Sequence, residues 1–133
     1  MADLEFIQPL GLNKPGVYSH VVTARGGKTI YVAGQVALDE QGELVGLGDL
    51  GQQTQQVYKN IEMALASAGA TFDDVVKITI YVANYKPEYR STILEARSQF
   101  IASENPPTSV LLGVLSLATE DFLIEIDAIA VVD

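Results

Sequence analysis

The stretch Phe122-Leu-Ile-Glu-Ile-Asp-Ala-Ile-Ala-Val-Val-Asp133 decides the fold. Side chains of a strand alternate between two faces, and the alternation divides this stretch sharply. Phe122, Ile124, Ile126, Ala128 and Ala130 make one face, apolar throughout. Leu123, Glu125, Asp127, Ile129 and Val131 make the other, where two carboxylates interrupt an apolar row. A strand apolar on both sides is covered on both sides. Glu125 therefore sits on a face that something else covers, and it is the first sign of a site.

Working outward from this strand, Ser109-Val-Leu-Leu-Gly-Val-Leu-Ser-Leu117 reads as the strand before it, joined by a turn at residues 118–121. A helix from about Pro87 to Ala102 precedes a loop at Asn105-Pro-Pro-Thr, with Pro87 suited to a first turn. Its Tyr89, Ile93, Ala96 and Phe100 form a core stripe. Val75 to Ala83 is rich in β-branched residues and reads as a strand, entered through Phe72-Asp-Asp. The clearest helix runs from Asp49 or Gly51 to Ala68, with Leu50, Val57, Ile61, Ala64, Leu65 and Ala68 on one stripe and Gly69 as C-cap. Lys28 to Gln35 and Tyr18 to Arg25 read as strands about a tight turn at Gly26-Gly27. Gly34 marks a bulge or a place where a ligand meets backbone. Residues 1–17 read as a short strand followed by loop.

The order β-β-β-α-β-α-β-β, with only two helices, implies an α+β two-layer sandwich: one mixed sheet with both helices on one face. The other face, carrying Tyr31, Ile129 and Val131, is then covered by self-association. The 133 residues make one domain, 1–133, able to bury its own core.

Composition narrows the chemistry. The net charge is −9 and the eight basic residues are scattered, which argues against nucleic acid as a partner. No apolar run reaches the ~20 residues of a membrane span, and Asp3 and Glu5 stand where a signal peptide wants Lys or Arg, so a cytoplasmic protein is expected. With no Cys there are no disulfides or thiolate nucleophiles. One histidine, His20, argues against a zinc site; carboxylates alone are the alternative for a metal, but no Asp-x-Asp-x-Asp-Gly loop is present, and neither metal nor cofactor is expected. Ser19-His20 is not a hydrolase pair, because adjacent strand residues point to opposite faces and no Gly-x-Ser-x-Gly elbow is present.

Seven short pieces in register carry a resemblance: Pro15-Gly-Val-Tyr18-Ser19, Tyr31-Val-Ala-Gly-Gln35, Gln53-Thr-Gln-Gln-Val, Asn60-Ile, Ala68-Gly-Ala, Asp74-Val-Val-Lys77 and Ile124-Glu-Ile-Asp-Ala-Ile-Ala130. Together, from about Pro15 to Val132, they resemble the RidA/YjgF family, the reactive intermediate imine deaminases also known as L-PSP endoribonuclease-like proteins. The resemblance implies a chorismate-mutase-like fold and a homotrimer whose sheets form a central barrel, with small-molecule clefts between subunits. It also implies hydrolysis of reactive enamines and imines to 2-oxo acids and ammonia.

The family pattern assigns Tyr18 to the cleft, Gly34 to a backbone contact with ligand, and Glu125 to positioning a hydrolytic water. One residue departs from it. Active family members carry a Pro-x-Arg whose guanidinium grips the substrate carboxylate through paired charge-assisted hydrogen bonds. Here the matching stretch is Pro107-Thr108-Ser109, so Ser109 stands at the arginine's place. Leu111 falls where a small or sulfur-containing residue is common, Ala33 replaces a cleft serine, and Ile93 falls near an asparagine position. A carboxylate buried without a charged partner is costly, so activity on 2-aminoacrylate is expected to be weak or absent. Three readings follow: a hydrolytic deaminase of altered specificity with Glu125 catalytic and Tyr18, Gly34, Ser109 and Leu111 binding substrate; a non-catalytic small-molecule-binding trimer acting as sensor or carrier; and an endoribonuclease, which the charge opposes. Thr108 is read as structural, Asp127 as lining a barrel or pairing at the surface, and Arg90 and Arg97 as a solvated helix face, with one of them reaching into a cleft as the alternative.

Overall fold

The computed structural model describes residues 2–133; Met1 lies outside them. The strand that opens the sequence reading is β6 (Ile124–Val132), and it is central: β3 (Lys28–Gln35) flanks it on one side and β4 (Val75–Ala83) on the other. β5 (Thr108–Val114) pairs with the far side of β4, giving the order β3-β6-β4-β5. β6 runs antiparallel to both its neighbours, whereas β4 and β5 are parallel. A parallel pair needs a crossover, and the crossover contains α2 (Tyr89–Arg97). The chain is therefore an α+β protein with a mixed sheet and both helices on one face.

Alternation in β6 sets that face. Ile124, Ile126, Ala128 and Ala130 are buried, as are Ile78, Ile80 and Val82 of β4 and Ile30 and Val32 of β3. They meet Val57, Tyr58, Ile61 and Leu65 of α1 (Leu50–Ser67) and Ile93 of α2 in one core. Asp49 caps α1, accepting a 3.0 Å bond from the Gln52 amide, a contact worth roughly 1 kcal/mol. At the other end Gly69 takes φ +79°, and the Gly69 and Ala70 amides close back onto the carbonyls of Ala66 and Leu65. Of the expected α1 stripe, Val57, Ile61 and Leu65 are buried, and Leu50, Ala64 and Ala68 pack partly buried against them. The first half of the stripe is not purely apolar, since Gln53, Thr54 and Tyr58 are fully buried too.

The N-terminal region departs from the expected pair of strands about Gly26-Gly27. β1 (Asp3–Ile7) and β2 (Val21–Arg25) form their own antiparallel ribbon, so the main sheet has four strands rather than five or more. β2 begins at Val21, not Tyr18. Residues 18–20 are held as loop by bonds that no local pattern reveals: the Ser19 amide donates to Pro107 O and its hydroxyl to Pro106 O, at 3.2 and 2.6 Å. Phe72–Asp74 is a short 3₁₀ turn closed by a capping box between Thr71 and Asp74, not the start of β4. α2 is shorter than its periodicity suggests, and β5 ends at Val114, short of Leu117.

The second face of the sheet is open. Tyr31 is 77% exposed, and Thr79, Tyr81, Glu125, Asp127 and Ile129 are half-buried. Val131 is a correction to the reading that groups it with these residues: it is buried, with the Gly26 turn close beside it.

Candidate functional site

Five residues were singled out from the sequence, and within the chain they fall into two groups. Gly34 and Glu125 form the first. The register of β3 against β6 slips between Val32 and Gln35, so that three steps along β3 match two along β6. That is a β-bulge, the first of the two alternatives for Gly34. At the bulge the strand comes so close to Glu125 that a Cβ built on Gly34 would overlap the carboxylate. Only glycine lets the Glu125 carboxylate lie against the β3 backbone. Glu125 is directly opposite Tyr81 on β4, and Asp127 opposite Thr79. The Tyr81 hydroxyl reaches Asp127 Oδ2 at 3.5 Å, and the Asp127 charge first, with lesser effects of Glu125, raises the Tyr81 pKa. These groups all lie on the open face of the sheet.

Tyr18, Ser109 and Leu111 form the second group, on the helix side. Ser109 and Leu111 register with Ile78 and Ile80 on β4 and so share the covered face. They line a cavity of about 110 Å³ together with Tyr18, Arg90 and Arg97. Tyr18 reaches it because Ser19 is tied to Pro106 and Pro107 at the mouth of β5. The Ser19 hydroxyl is thereby committed to a carbonyl, and His20 Nε2 pairs with Asn13 O at 2.7 Å, so these neighbours make no nucleophile–base pair. Thr108 donates to Val76 O at 2.6 Å, the structural role expected of it.

Arg97 departs from the solvated face first expected of it and fits the alternative, in which one of the two helix arginines reaches inward. Expected on a solvated face, it is only 6% exposed, and its Nη2 donates to the Val17 carbonyl. Burial lowers its pKa, opposed in part by the nearby Tyr58, yet an arginine so placed stays protonated at neutral pH. The signal was in the spacing: Arg97 follows Ile93 by four residues and so lies on the buried stripe of α2. Arg90 stays exposed.

Two further polar side chains on α1 position the loops around these groups; both stand in the pieces that carry the resemblance, but no role was assigned to either. Gln53 donates to Gly46 O and Asp121 O and accepts from the Leu123 amide, at 2.9–3.0 Å, fastening the approach to β6. Asn60 donates to Val36 O and Leu38 O at 3.0 and 2.9 Å, fixing the exit from the Gly34 bulge. The Tyr58 hydroxyl, by contrast, is buried without a hydrogen-bond partner among the described residues, and burial pushes its pKa up to about 12.

A mixed sheet with two helices on one face, a bulge holding a glutamate against backbone, and a small cavity beside the edge strand define a small α+β protein of YjgF-like fold. The chain belongs to the RidA/YjgF family: the family model described as Endoribonuclease L-PSP matches residues 11–132. A RutC family protein of Pyrococcus abyssi is 39% identical over 86% of each chain. The human 2-iminobutanoate/2-iminopropanoate deaminase is 33% identical over 87% of this chain and 80% of its own. Among solved structures, a Rid-family protein of unknown function from Yersinia pestis superposes with a TM-score of 0.89 at 38% identity, covering 97% of this chain and 98% of the other.

Proposed function

We propose that the protein is a cytoplasmic hydrolytic deaminase of a small enamine or imine, one domain per chain over residues 1–133, working as a homotrimer with its cleft between subunits. The observation that carries this reading is the Glu125 carboxylate seated against Gly34, in a chain whose relatives include a human protein named for 2-iminobutanoate and 2-iminopropanoate deamination. In the reaction a water adds to the carbon of the C=N bond, its proton passes to nitrogen, and the C–N bond breaks to leave a ketone and ammonia. Glu125 holds that water and takes its proton as general base. Tyr18, Ser109 and Leu111 contact the substrate, with Gly34 offering its backbone. Assembly would also cover the open face, where Tyr31 stands exposed and Ile129 half-exposed.

The test is ammonia release by the pure protein from amino-acid-derived imines, compared with Glu125→Ala. Turnover lost in that variant supports the proposal; equal rates, or none from either protein, sink it. Light scattering checks the assembly, and a monomer at micromolar concentration would remove the intersubunit cleft. A second reading, a non-catalytic binder acting as sensor or carrier, is favoured by Ser109 standing where the family's active members carry arginine. A metabolite retained through purification without turnover would establish that reading instead. The word endoribonuclease in the family description finds little support in a chain of net charge −9.

A further inference from the structure

We infer that α2, through Arg97 and Arg90, supplies the anion anchor that β5 lacks, so that the cavity beside Ser109 takes a small carboxylate. The inference rests on the proposed cleft for its location and on four observations for its chemistry.

First, Arg97 is a buried charge without a counter-charge. Among the described residues its hydrogen bonding is to the Val17 carbonyl alone, and no carboxylate pairs with it. A guanidinium has five N–H donors, so most of its capacity is not taken up by the described residues and faces the two cavities it lines. A buried charge so incompletely matched is expensive to hold, and a bidentate carboxylate is the partner its planar fork matches best. Second, Arg90 stands seven residues earlier, two turns along the same helix, and lines the same cavity. Third, the remaining wall consists of Tyr18, Ser109 and apolar side chains of Val17, Ile80, Ile93, Leu94 and Leu111, with no acidic residue. In a chain of net charge −9 this is a local reversal of sign. Fourth, the cavity of about 110 Å³ suits several waters, at ~10–15 Å³ each, or one small organic acid. The neighbouring cavity of about 120 Å³, which Arg97 also lines, holds no second cation, so the Ser109 side is the better anion site.

The strand serine and the helix arginine are then complementary. Replacing the β5 arginine by Ser109 leaves room at the strand, and a guanidinium from α2 faces the space from the other side. Ser109 and Tyr18 offer hydroxyls to the same ligand.

The probe is pyruvate, with pyruvamide as its neutral counterpart of similar shape, titrated into the full chain and followed by NMR of backbone amides and Arg97 Nε. Saturable shifts at Arg97 and Val17 are expected with pyruvate, and binding of pyruvamide about tenfold weaker or worse. Arg97→Lys keeps the charge but loses the fork, and should weaken pyruvate by about tenfold. Arg90→Gln is exposed and free of folding risk, and should weaken it severalfold with an unchanged melting temperature. Equal affinity for the two probes, or full pyruvate affinity in Arg90→Gln, overturns the inference even where Arg97→Lys fails to fold. The enzymatic reading fails separately. Ammonia release that neither substitution affects, in kcat or KM, keeps the deaminase and discards the helix anchor. Pyruvate binding that requires both arginines, without turnover, keeps the anchor and discards the deaminase.

Discussion

The two faces of the sheet divide the candidate site between them. On the helix side, Ser109, Leu111 and Tyr18 border a core of isoleucines and valines, and the buried charge beside them, Arg97, donates to the Val17 carbonyl. On the open side, Glu125, Asp127 and Tyr81 cluster in half-exposed positions, and the carboxylate has its place only because Gly34 has no side chain. The positive and negative halves of the chemistry are kept apart by the thickness of one sheet. A ligand touching both halves cannot be enclosed by one protomer across its own sheet, which is the physical case for a cleft completed by a neighbour.

The largest expected contrast between the faces is in stability. Ile126 is fully buried on the helix side, and its neighbour Glu125 points the other way. Ile126→Ala should destabilise by about 2–5 kcal/mol through lost burial and the cavity left behind. Glu125→Ala should stay within about 0.5 kcal/mol of the parent in the isolated protomer. Denaturant melts of the pair decide it. Comparable losses in both would mean that the open face also carries the fold.

The next effect concerns Tyr58, whose ring packs on Phe100 and Phe72 and whose hydroxyl is buried without a partner among the described residues. Its folded-state pKa is raised from the ordinary 10.0 to about 12 by burial, with Arg97 acting in the opposite direction. A raised pKa leaves stability intact below the unfolded value and removes it as pH climbs toward the folded one. From pH 10 to 12 the protein should thus lose up to about 3 kcal/mol at this residue, at ~1.4 kcal/mol per unit. Tyr58→Phe should flatten that decline and cost little or nothing at pH 7, because it removes a hydroxyl that has no partner. Parallel alkaline slopes for the two proteins would refute the assignment.

How much of this was legible in the sequence follows the same division. Alternation in Phe122–Asp133 correctly separated Ile124, Ile126, Ala128 and Ala130 from Glu125 and Asp127, because burial and the two-residue period are local properties. Val57, Ile61 and Leu65 were legible on α1 for the same reason. Gln53 and Asn60 belonged to the pieces that carry the resemblance, but their anchoring roles were not legible, since these lie in carbonyls and amides 22–70 residues away. The loop at Tyr18 was misread as strand because Ser19 answers to Pro106, 87 positions on. Arg97 was hidden by the general preference of arginine for solvent, although its spacing from Ile93 pointed inward. Gly34 could be marked as special, but whether a bulge or a ligand required the glycine depended on where Glu125 lay.

Gly34 also supplies the smallest and most local test. Its φ lies outside the left-handed region, so alanine is free to adopt the backbone and stiffens the unfolded chain, a gain of about 0.4–1 kcal/mol. Against this stands the overlap of the new Cβ with the end of the Glu125 side chain, with its Cγ also tight at 3.1 Å. A carboxylate at the end of a flexible side chain can swing away, so Gly34→Ala should change stability by less than about 1 kcal/mol. What it cannot do is leave the Glu125 carboxylate where it is. Carboxyl-carbon NMR of Glu125 should therefore shift in Gly34→Ala, and ammonia release should fall toward the level of Glu125→Ala, while the pyruvate affinity of the helix-side cavity is unchanged. If pyruvate affinity fell together with the Glu125 signal, the two faces would be coupled within a protomer, and the sheet would not be the partition that its register implies.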